Sequence, residues 1–484
     1  MTGIRHSLLY SMADTYVGLP LQLIGTMVMA RLLTPAETGV FAVAAIFASF
    51  ASTFRDFGVA EYLIQEKDLD ATKLRAALTV NITISWFVGV VLFLIAPFAA
   101  QFYRNPGIAD VMRVQCLNFA LIPFGAVTMA YFRRELNFQP IFVASLLSNI
   151  VTFTVGALCA LRGLAYMSLA WSSLAGVIVT LAVAIWFRPR HFPRWPGLAG
   201  VARVFHFGKF ASGVYMFGQL GRGAPEMVIG RAQGMAEVAM FSRGGGLVEL
   251  FNRLVLRAIV PVCQPFFAKA HRDDGSVTQG YLRSISHLTA VGWPALFFLA
   301  MASFPAVMLL YGGQWIQSSV LAKLLCAAAA AELVHYLSKE ALLAVGEARR
   351  ANSLQMQMQG ARVIGILAVV PFGLAGACWG LIAASFVGLF AAQRAMFLAI
   401  GLCWSDVRKS CTKSAIVTLC TALPLSVFYL YQAPTQQNYA GWLAIATSVS
   451  ALSWVASLRV VAHPLWPDIV SLAAVVAARF SRRS

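Results

Sequence analysis

Four charged side chains fall within one short, otherwise apolar stretch: Arg243, Glu249, Arg253 and Arg257. On an ideal helix Glu249, Arg253 and Arg257 lie about 240°, 280° and 320° from Arg243, so all four share one arc of about 120°. The climb from Arg243 to Arg257 is about 21 Å, most of a bilayer's hydrocarbon core. An arginine at mid-helix in a membrane costs about 2.5–3.5 kcal/mol on insertion scales, and a guanidinium binds phosphate oxygens two at a time. Such a stripe reads as a cationic surface for an anionic head group such as a lipid diphosphate, with Glu249 as charge balance or ion-coupling group. The same spacing also fits a plain reading: Glu249 pairs with Arg253 at i,i+4 while Arg243 and Arg257 snorkel to opposite surfaces.

Further candidates lie elsewhere. Arg222 sits in mid-segment between Gly221 and Gly223, Arg113 shares a segment with Gln115 and Asn118, and Arg55 and Asp56 sit low in an earlier one. The substrate-binding candidates are therefore Arg222, Arg243, Arg253, Arg257 and Arg113, with Asp56 and Glu249 for charge balance or ion coupling. Tyr215, Gln219 and Trp171 are side chains that meet sugars, although helix packing is the commoner role for any one of them. No catalytic residue, cofactor or metal is indicated. The chain has no GxxxxGK[ST] loop and no HExxH, and its eight cysteines form no Cys-x-x-Cys pair. Asp68-Leu-Asp70 matches a metal-dependent glycosyltransferase pattern, but beside Lys67 and Lys73 it reads as a solvated charge run.

Charged residues of this kind need elements that hold them in a membrane. Of the 484 residues 59% are hydrophobic and only 12% charged, against about 25% in soluble domains, and the mean hydropathy is +0.74. The chain reads as an all-α polytopic membrane protein. It has about fourteen candidate spans, near 8–32, 40–62, 76–99, 110–131, 140–161, 165–187, 206–231, 236–261, 279–303, 318–337, 354–371, 375–400, 412–431 and 440–461. Lys and Arg gather in alternate connections, among them Arg133 and Arg134, Arg188 to Lys209, Arg349 and Arg350, and Arg479 to Arg483. The connections 310–315, 371–373 and 432–441 have none. By the positive-inside rule both termini are cytoplasmic. The net charge of +18 follows this topology, so no nucleic-acid partner is implied. Arg5 and His6 lead into an uncleaved first span, not a signal peptide.

A repeat orders the spans. Met27, Val28, Arg31, Ala36, Glu37 and Phe41 recur at an offset of 200 as Met227, Val228, Arg231, Ala236, Glu237 and Phe241. Six spans per repeat give both copies one orientation, hence two parallel lobes with a working site between them. The expected division is a six-helix lobe at 1–204, a second at 205–404, an appended helix pair at 405–464, and a basic cytoplasmic tail at 465–484 that lies on the inner surface. Arg31 and Arg231, kept in both copies, are expected to serve the scaffold. The arginines of spans seven and eight have no counterpart in the first copy and are the better substrate candidates. Gly244–Gly246 are expected to loosen span eight.

The runs Ala-Arg-Leu-Leu-Thr-Pro-Ala-Glu-Thr-Gly-Val-Phe (30–41) and Arg-Asp-Phe-Gly-Val-Ala-Glu-Tyr-Leu-Ile-Gln (55–65) resemble the polysaccharide transporter (oligosaccharide flippase) family. Ile-Gly-Arg (229–231), Ile-Val-Pro-Val (259–262) and Tyr-Gly-Gly-Gln-Trp (311–315) extend the resemblance over nearly the whole chain. It implies the multidrug/oligosaccharidyl-lipid/polysaccharide exporter superfamily, with two six-helix lobes and an added pair. It further implies a non-enzymatic flippase of a bacterial inner membrane that moves polyprenyl-diphosphate-linked oligosaccharide repeat units by alternating access. The product would be exopolysaccharide, capsule or O-antigen, and the partners a polysaccharide polymerase and chain-length or export machinery. Ala239, Met240 and Arg55 depart from the family pattern. Two other classes compete. A multidrug antiporter of the same superfamily would want an acidic cavity for cationic drugs. A membrane glycan polymerase or ligase would want a large outer loop, and every such connection here is short.

Overall fold

In a computed structural model, the structure describes residues 2–56, 58–190, 192–193, 195–272 and 276–471. The described residues form helices and turns and no strand. Ten stretches among them are long and apolar enough to cross a membrane. One of these, Ala348–Ile400, folds as two helices about a 3-10 turn at Val370–Phe372. Pro371 has no N–H to continue the first helix, and Gly373 at φ 86 takes the left-handed conformation that starts the second. The protein is an all-α polytopic membrane protein, as its composition requires.

The chain divides into two compact units, Met1–Ala239 and Met240–Ser484. The first contains α1 (Thr2–Leu32), α2 (Pro35–Asp56), α3 (Val59–Gln65), α4 (Ala71–Tyr103), α5 (Gly107–Arg134), α6 (Gln139–Leu161), α7 (Met167–Trp186) and α8 (Val201–Ala232). Helix α6 packs on α7, α4 on α5, α1 on α6, and α8 on α2 and α4. Apolar tails compete equally well with lipid, so close contacts between small residues decide these pairings. A Cβ on Gly176 of α7 would stand 2.3 Å from Thr152 Oγ1 of α6, and Ser148 Oγ donates to the Gly176 carbonyl at 3.0 Å. Glycines also explain why α8, which the repeat places in the second copy, packs with the first unit. A Cβ at Gly223 would meet Ile46 at 2.7 Å, and one at Gly230 would meet both Val43 and Tyr103 at 3.2 Å.

The repeat itself marks a helix corner. Arg31 and Arg231 lie in the last turns of α1 and α8, and Glu37 and Glu237 in the first turns of α2 and α9 (Met235–Phe251). Each charge opposes the partial charge of its helix end. The Thr34 N–H donates to Glu37 Oε2 at 2.8 Å and the Glu37 N–H to Thr34 Oγ1 at 3.3 Å, a reciprocal capping box. The second corner has Gly234 in place of Thr34, at φ 114. Gly39 lets the corners touch, because a Cβ there would lie 1.7 Å from the Met235 carbonyl oxygen. Arg231 also covers the Phe102 ring at 5.3 Å. These are scaffold roles.

The second unit continues α9 through a π-helical turn at Asn252–Leu256 into α10 (Arg257–Arg272). It then holds α11 (Val277–Met301), α12 (Ser303–Leu310), α13 (Gln317–Leu333), α14 (Ser338–Ala344), α15 (Ala348–Val369), α16 (Gly373–Ile400), α17 (Trp404–Tyr431) and α18 (Tyr439–Val460). Helices α15 and α16 close on each other where Gly365 and Gly380 meet backbone to backbone. The last pair is fastened by indoles: Trp442 Nε1 donates to the Gln432 carbonyl at 2.7 Å and Trp454 Nε1 to that of Ala290 at 2.9 Å. Beyond α18, residues 465–471 are helical, and Asp468 pairs with Arg283 of α11 at 3.1 Å. The remaining tail, with Arg479, Arg482 and Arg483, lies outside the described residues, as does Arg194.

Candidate functional site

The sequence expects one stripe of four charges along α9 and α10; the structure makes two separate groups. Glu249 Oε1 accepts from Arg253 Nε at 3.0 Å and from an Arg257 terminal nitrogen at 3.2 Å. The π turn brings the third residue in. On an unbroken α-helix Arg257 would sit about 80° from Glu249, and the extra residue of a π bulge turns it back to within about 20°. The turn has a cause in the sequence: Pro261 has no N–H for the Arg257 carbonyl, so regular i,i+4 bonding fails just there. The Arg257 N–H instead reaches the Asn252 carbonyl, five residues back. One carboxylate thus serves two guanidinium groups and leaves a net charge of +1. The Arg257 side chain is 69% exposed, Glu249 43% and Arg253 31%. Unused N–H donors of Arg257 are open to an anion.

Arg243 leaves this group. Its guanidinium carbon stands 5.2 Å from the ring centres of both Tyr311 and Trp315, and Trp315 is fully buried. The Tyr-Gly-Gly-Gln-Trp segment builds this cage. Gly312, at φ 94, turns the chain sharply between the two aromatics so that both rings face one cation. A cation held over aromatic faces gains about 0.5–2 kcal/mol, which offsets part of its removal from water. The Nε of Arg243 is buried without a hydrogen-bond partner. The neighbouring glycines, expected to loosen the helix, instead seat it. A Cβ on Gly244 would come within 3.0 Å of the Ser318 carbonyl, and one on Gly246 within 3.0 Å of Tyr311 Oη.

In the first unit Arg222 is exposed, and its Nε donates to Gln219 Oε1 at 2.9 Å. Gln219 in turn donates to Ser49 Oγ of α2 at 2.9 Å. Gln219, a sugar candidate by sequence, here orients an arginine. Arg113 lies near the start of α5 and faces Asp110 at 3.5 Å, both side chains about half exposed. It does not join Gln115 and Asn118, which are buried on other faces; Asn118 donates to Ser173 Oγ at 3.3 Å. Arg55 covers the Phe119 ring at 5.7 Å. Asp56 closes α2, but its side chain and that of Tyr215 lie outside the described residues. Trp171 is partly exposed on α7.

The Asp68–Asp70 match is structural. Asp70 Oδ1 accepts from the Lys73 N–H at 2.7 Å and caps α4, while Lys73 Nζ reaches Glu66 at 2.8 Å. Arg134 donates to the Leu63 and Lys67 carbonyls and holds the same connection. Among the described residues no three His, Cys, Asp or Glu side chains group as metal ligands.

One charged cluster escapes the sequence reading. Glu332 of α13 pairs with Arg362 of α15, and Ser385 Oγ of α16 donates to the same Glu332 oxygen at 3.2 Å. The glutamate and arginine side chains are 24% and 26% exposed. A lone acid in span ten and a lone base in span eleven were the available signal, since an ionisable residue within a span is a candidate by default.

Comparison with known proteins agrees with this architecture. A family described as polysaccharide biosynthesis protein matches residues 28–320. The lipopolysaccharide biosynthesis protein WzxC of Escherichia coli K12 is 24% identical over 66% of this chain and 65% of its own length. The succinoglycan biosynthesis transport protein ExoT of Rhizobium meliloti is 25% identical over 60% of this chain and 58% of its own. The chain thus spans about two thirds or less of the length of these relatives. Among solved structures, the lipid II flippase MurJ in an inward closed conformation superposes with a TM-score of 0.73 at 11% identity, covering 96% of this chain and 100% of that one. An inward-facing multidrug resistance transporter of the MATE family, itself of the MOP superfamily, gives 0.57 at 16% identity, over 83% of this chain and 96% of that one. At these identities the two structures establish the fold alone.

Proposed function

This chain belongs to the polysaccharide biosynthesis protein family, and from that premise we propose that it is a flippase for polyprenyl-diphosphate-linked oligosaccharide in surface polysaccharide synthesis. The observation that carries the reading is Glu249 shared between Arg253 and Arg257 at the π turn. A guanidinium already oriented by a carboxylate, yet exposed and in cationic excess, suits a diphosphate, whose oxygens replace water around the free N–H groups. The names of the two sequence relatives, for lipopolysaccharide and succinoglycan synthesis, support the same class of cargo.

In this reading Arg253 and Arg257 hold the diphosphate, Arg222 and Arg243 contribute cationic field, and Arg113 receives or releases the head group near the start of α5. Glu249 keeps the pair from being an anion trap, and Asp56 is a second balancing charge. Two parallel six-helix lobes, 1–204 and 205–404, rock about the cargo, with 405–464 appended and 465–484 on the cytoplasmic surface. The membrane is the bacterial inner membrane with both termini cytoplasmic, and a polymerase and chain-length or export machinery take the flipped units. No bond is made or broken in the cargo.

The test is the double variant Arg253→Ala, Arg257→Ala in cells that lack the wild-type gene. Loss of surface polymer with lipid-linked units accumulating on the inner leaflet supports the reading; normal export removes the site. Drug sensitivity with polymer intact would move the protein to the multidrug class, which the surplus of exposed guanidinium disfavours.

A further inference from the structure

Span ten is broken where the Glu332 cluster lies. Helix α13 ends at Leu333 and α14 begins at Ser338, with turns at 334–337 between them. Glu332 is about 22 Å along from the start of α13, Arg362 about 21 Å along α15, and Ser385 about 18 Å along α16. All three therefore lie well along stretches long and apolar enough to cross a membrane, where a broken helix frees backbone groups and commonly frames an ion site. His335 occupies the break. The residue is 4% exposed, and among the described residues no side chain hydrogen-bonds its ring nitrogens, which have only backbone near Ser385 as a polar neighbour. Gly388 of α16 lies beside it: a Cβ there would stand 3.4 Å from its Cε1 and Nε2, in van der Waals contact.

We infer that His335, Glu332 and Arg362 form a proton-binding site at the break in span ten, which couples proton movement to the conformational cycle. The coupling rests on the transporter reading above, whereas the proton site does not. A buried imidazole without a side-chain partner wants one, and a proton changes what partner it can have. The nitrogen lone pair takes a proton from water, one N–H bond forms, and the cluster passes from net zero to +1. The imidazolium, one turn from Glu332, then competes with Arg362 for the carboxylate. Exchange of that partner at a flexible joint would shift α13 and α14 relative to α15.

The surroundings favour a proton over a metal cation, because Arg362 and Ser385 already occupy the Glu332 oxygen. Among the described residues, the charged groups acting on the His335 ring are Glu332 and Arg362. Helix α11 presents Trp293, whose Nε1 donates to the Ala330 carbonyl at 2.8 Å, and α16 presents Ser385 and Gly388. On the same span, Glu340 has one buried carboxyl oxygen without a partner, and Lys323 and Lys339 lie further along on either side.

The test uses full-length protein in lipid nanodiscs, weakly buffered, with a pH dye and indole fluorescence read after an acid pulse. Wild type should take up one proton per chain more than His335→Gln, with a fluorescence change from Trp293 that the variant lacks. Equal uptake and equal fluorescence would overturn the proposal. So would the same fluorescence change produced by sodium at constant pH, which would mark a metal-ion site. If His335→Gln does not fold, Gly388→Ser serves in its place: a Cβ there stands 3.4 Å from Nε2, so the hydroxyl offers the imidazole a hydrogen-bond partner and should move the uptake midpoint, and an unmoved midpoint would overturn the assignment. Proton uptake as stated, in a protein whose deletion leaves surface polymer unaffected, would support the site while removing the flippase reading.

Discussion

Glu249 and Glu332 are both carboxylates set among arginines in one unit of an apolar chain, and they are treated in opposite ways. Glu249 is shared by two guanidinium groups, about half exposed, on a continuous helix distorted by a π turn. Glu332 meets one arginine and one hydroxyl, is mostly enclosed, and lies beside a true break in its span. The first arrangement leaves N–H donors of Arg257 exposed and suits something that comes and goes. The second is neutral and closed, so any change in it must come from a small species such as a proton. Stoichiometry and exposure, more than residue type, separate a cargo surface from an internal latch.

The largest expected effect breaks the enclosed pair. Glu332→Gln leaves Arg362 without a counter-charge and should destabilise the protein by about 1–3 kcal/mol, read as a drop in melting temperature and yield. Adding Arg362→Met should recover most of the loss. A smaller drop than that of Glu249→Gln would erase the contrast drawn between the two acids. The double variant Arg253→Ala, Arg257→Ala should do the reverse. Polymer export should fall at least about tenfold, while stability changes by about 0–1 kcal/mol, as for exposed ion pairs. A finer change, Arg257→Lys, keeps the charge but loses the planar fork, and export measured in the same cells should fall about threefold. Unchanged export would reduce the site to a point charge.

The smallest effect concerns a histidine that serves as the counter-example to His335. His463, past the end of α18, has Ser286 and Ser414 hydroxyls at Nε2, both at 3.2 Å, and accepts the Leu465 N–H at Nδ1 at 3.1 Å. Burial, with the nearby charges of His287 and Lys413, lowers its pKa to about 4 from 6.5. The unfolded chain therefore binds this proton more tightly, so the contribution to stability is full above about pH 6.5 and is lost as pH falls toward 4. Thermal unfolding followed over that window should show the loss in wild type and a flatter profile in His463→Gln. Equal profiles would mean the tail is not anchored through this ring.

Much of the fold was legible in the sequence because its signals are local. Apolar runs of about 20 residues read as spans, and each of the fourteen expected from hydropathy has a helix in the structure. The corner repeat read correctly as scaffold, since an arginine at a helix end and a glutamate at the next helix start act within one turn. The charged stripe was half legible: Glu249, Arg253 and Arg257 came together, but Arg243 did not. A fixed 100° per residue cannot foresee a π turn, and the aromatics that take Arg243 lie some seventy residues away in sequence. The Glu332 and Arg362 pair was invisible as a pair, because thirty residues and a helix hairpin separate its members.

By itself the sequence determined that this chain lives in a membrane, roughly where its helices lie, and which family's pattern it carries. Those properties follow from the cost of leaving backbone and side chains unsatisfied in hydrocarbon, a cost each segment meets alone. Only the tertiary structure decided which charges share a partner, which guanidinium stays exposed, and which histidine is buried without a side-chain partner. Those outcomes depend on distances between helices remote in sequence, set by glycine contacts and helix breaks whose effect appears only when the segments pack.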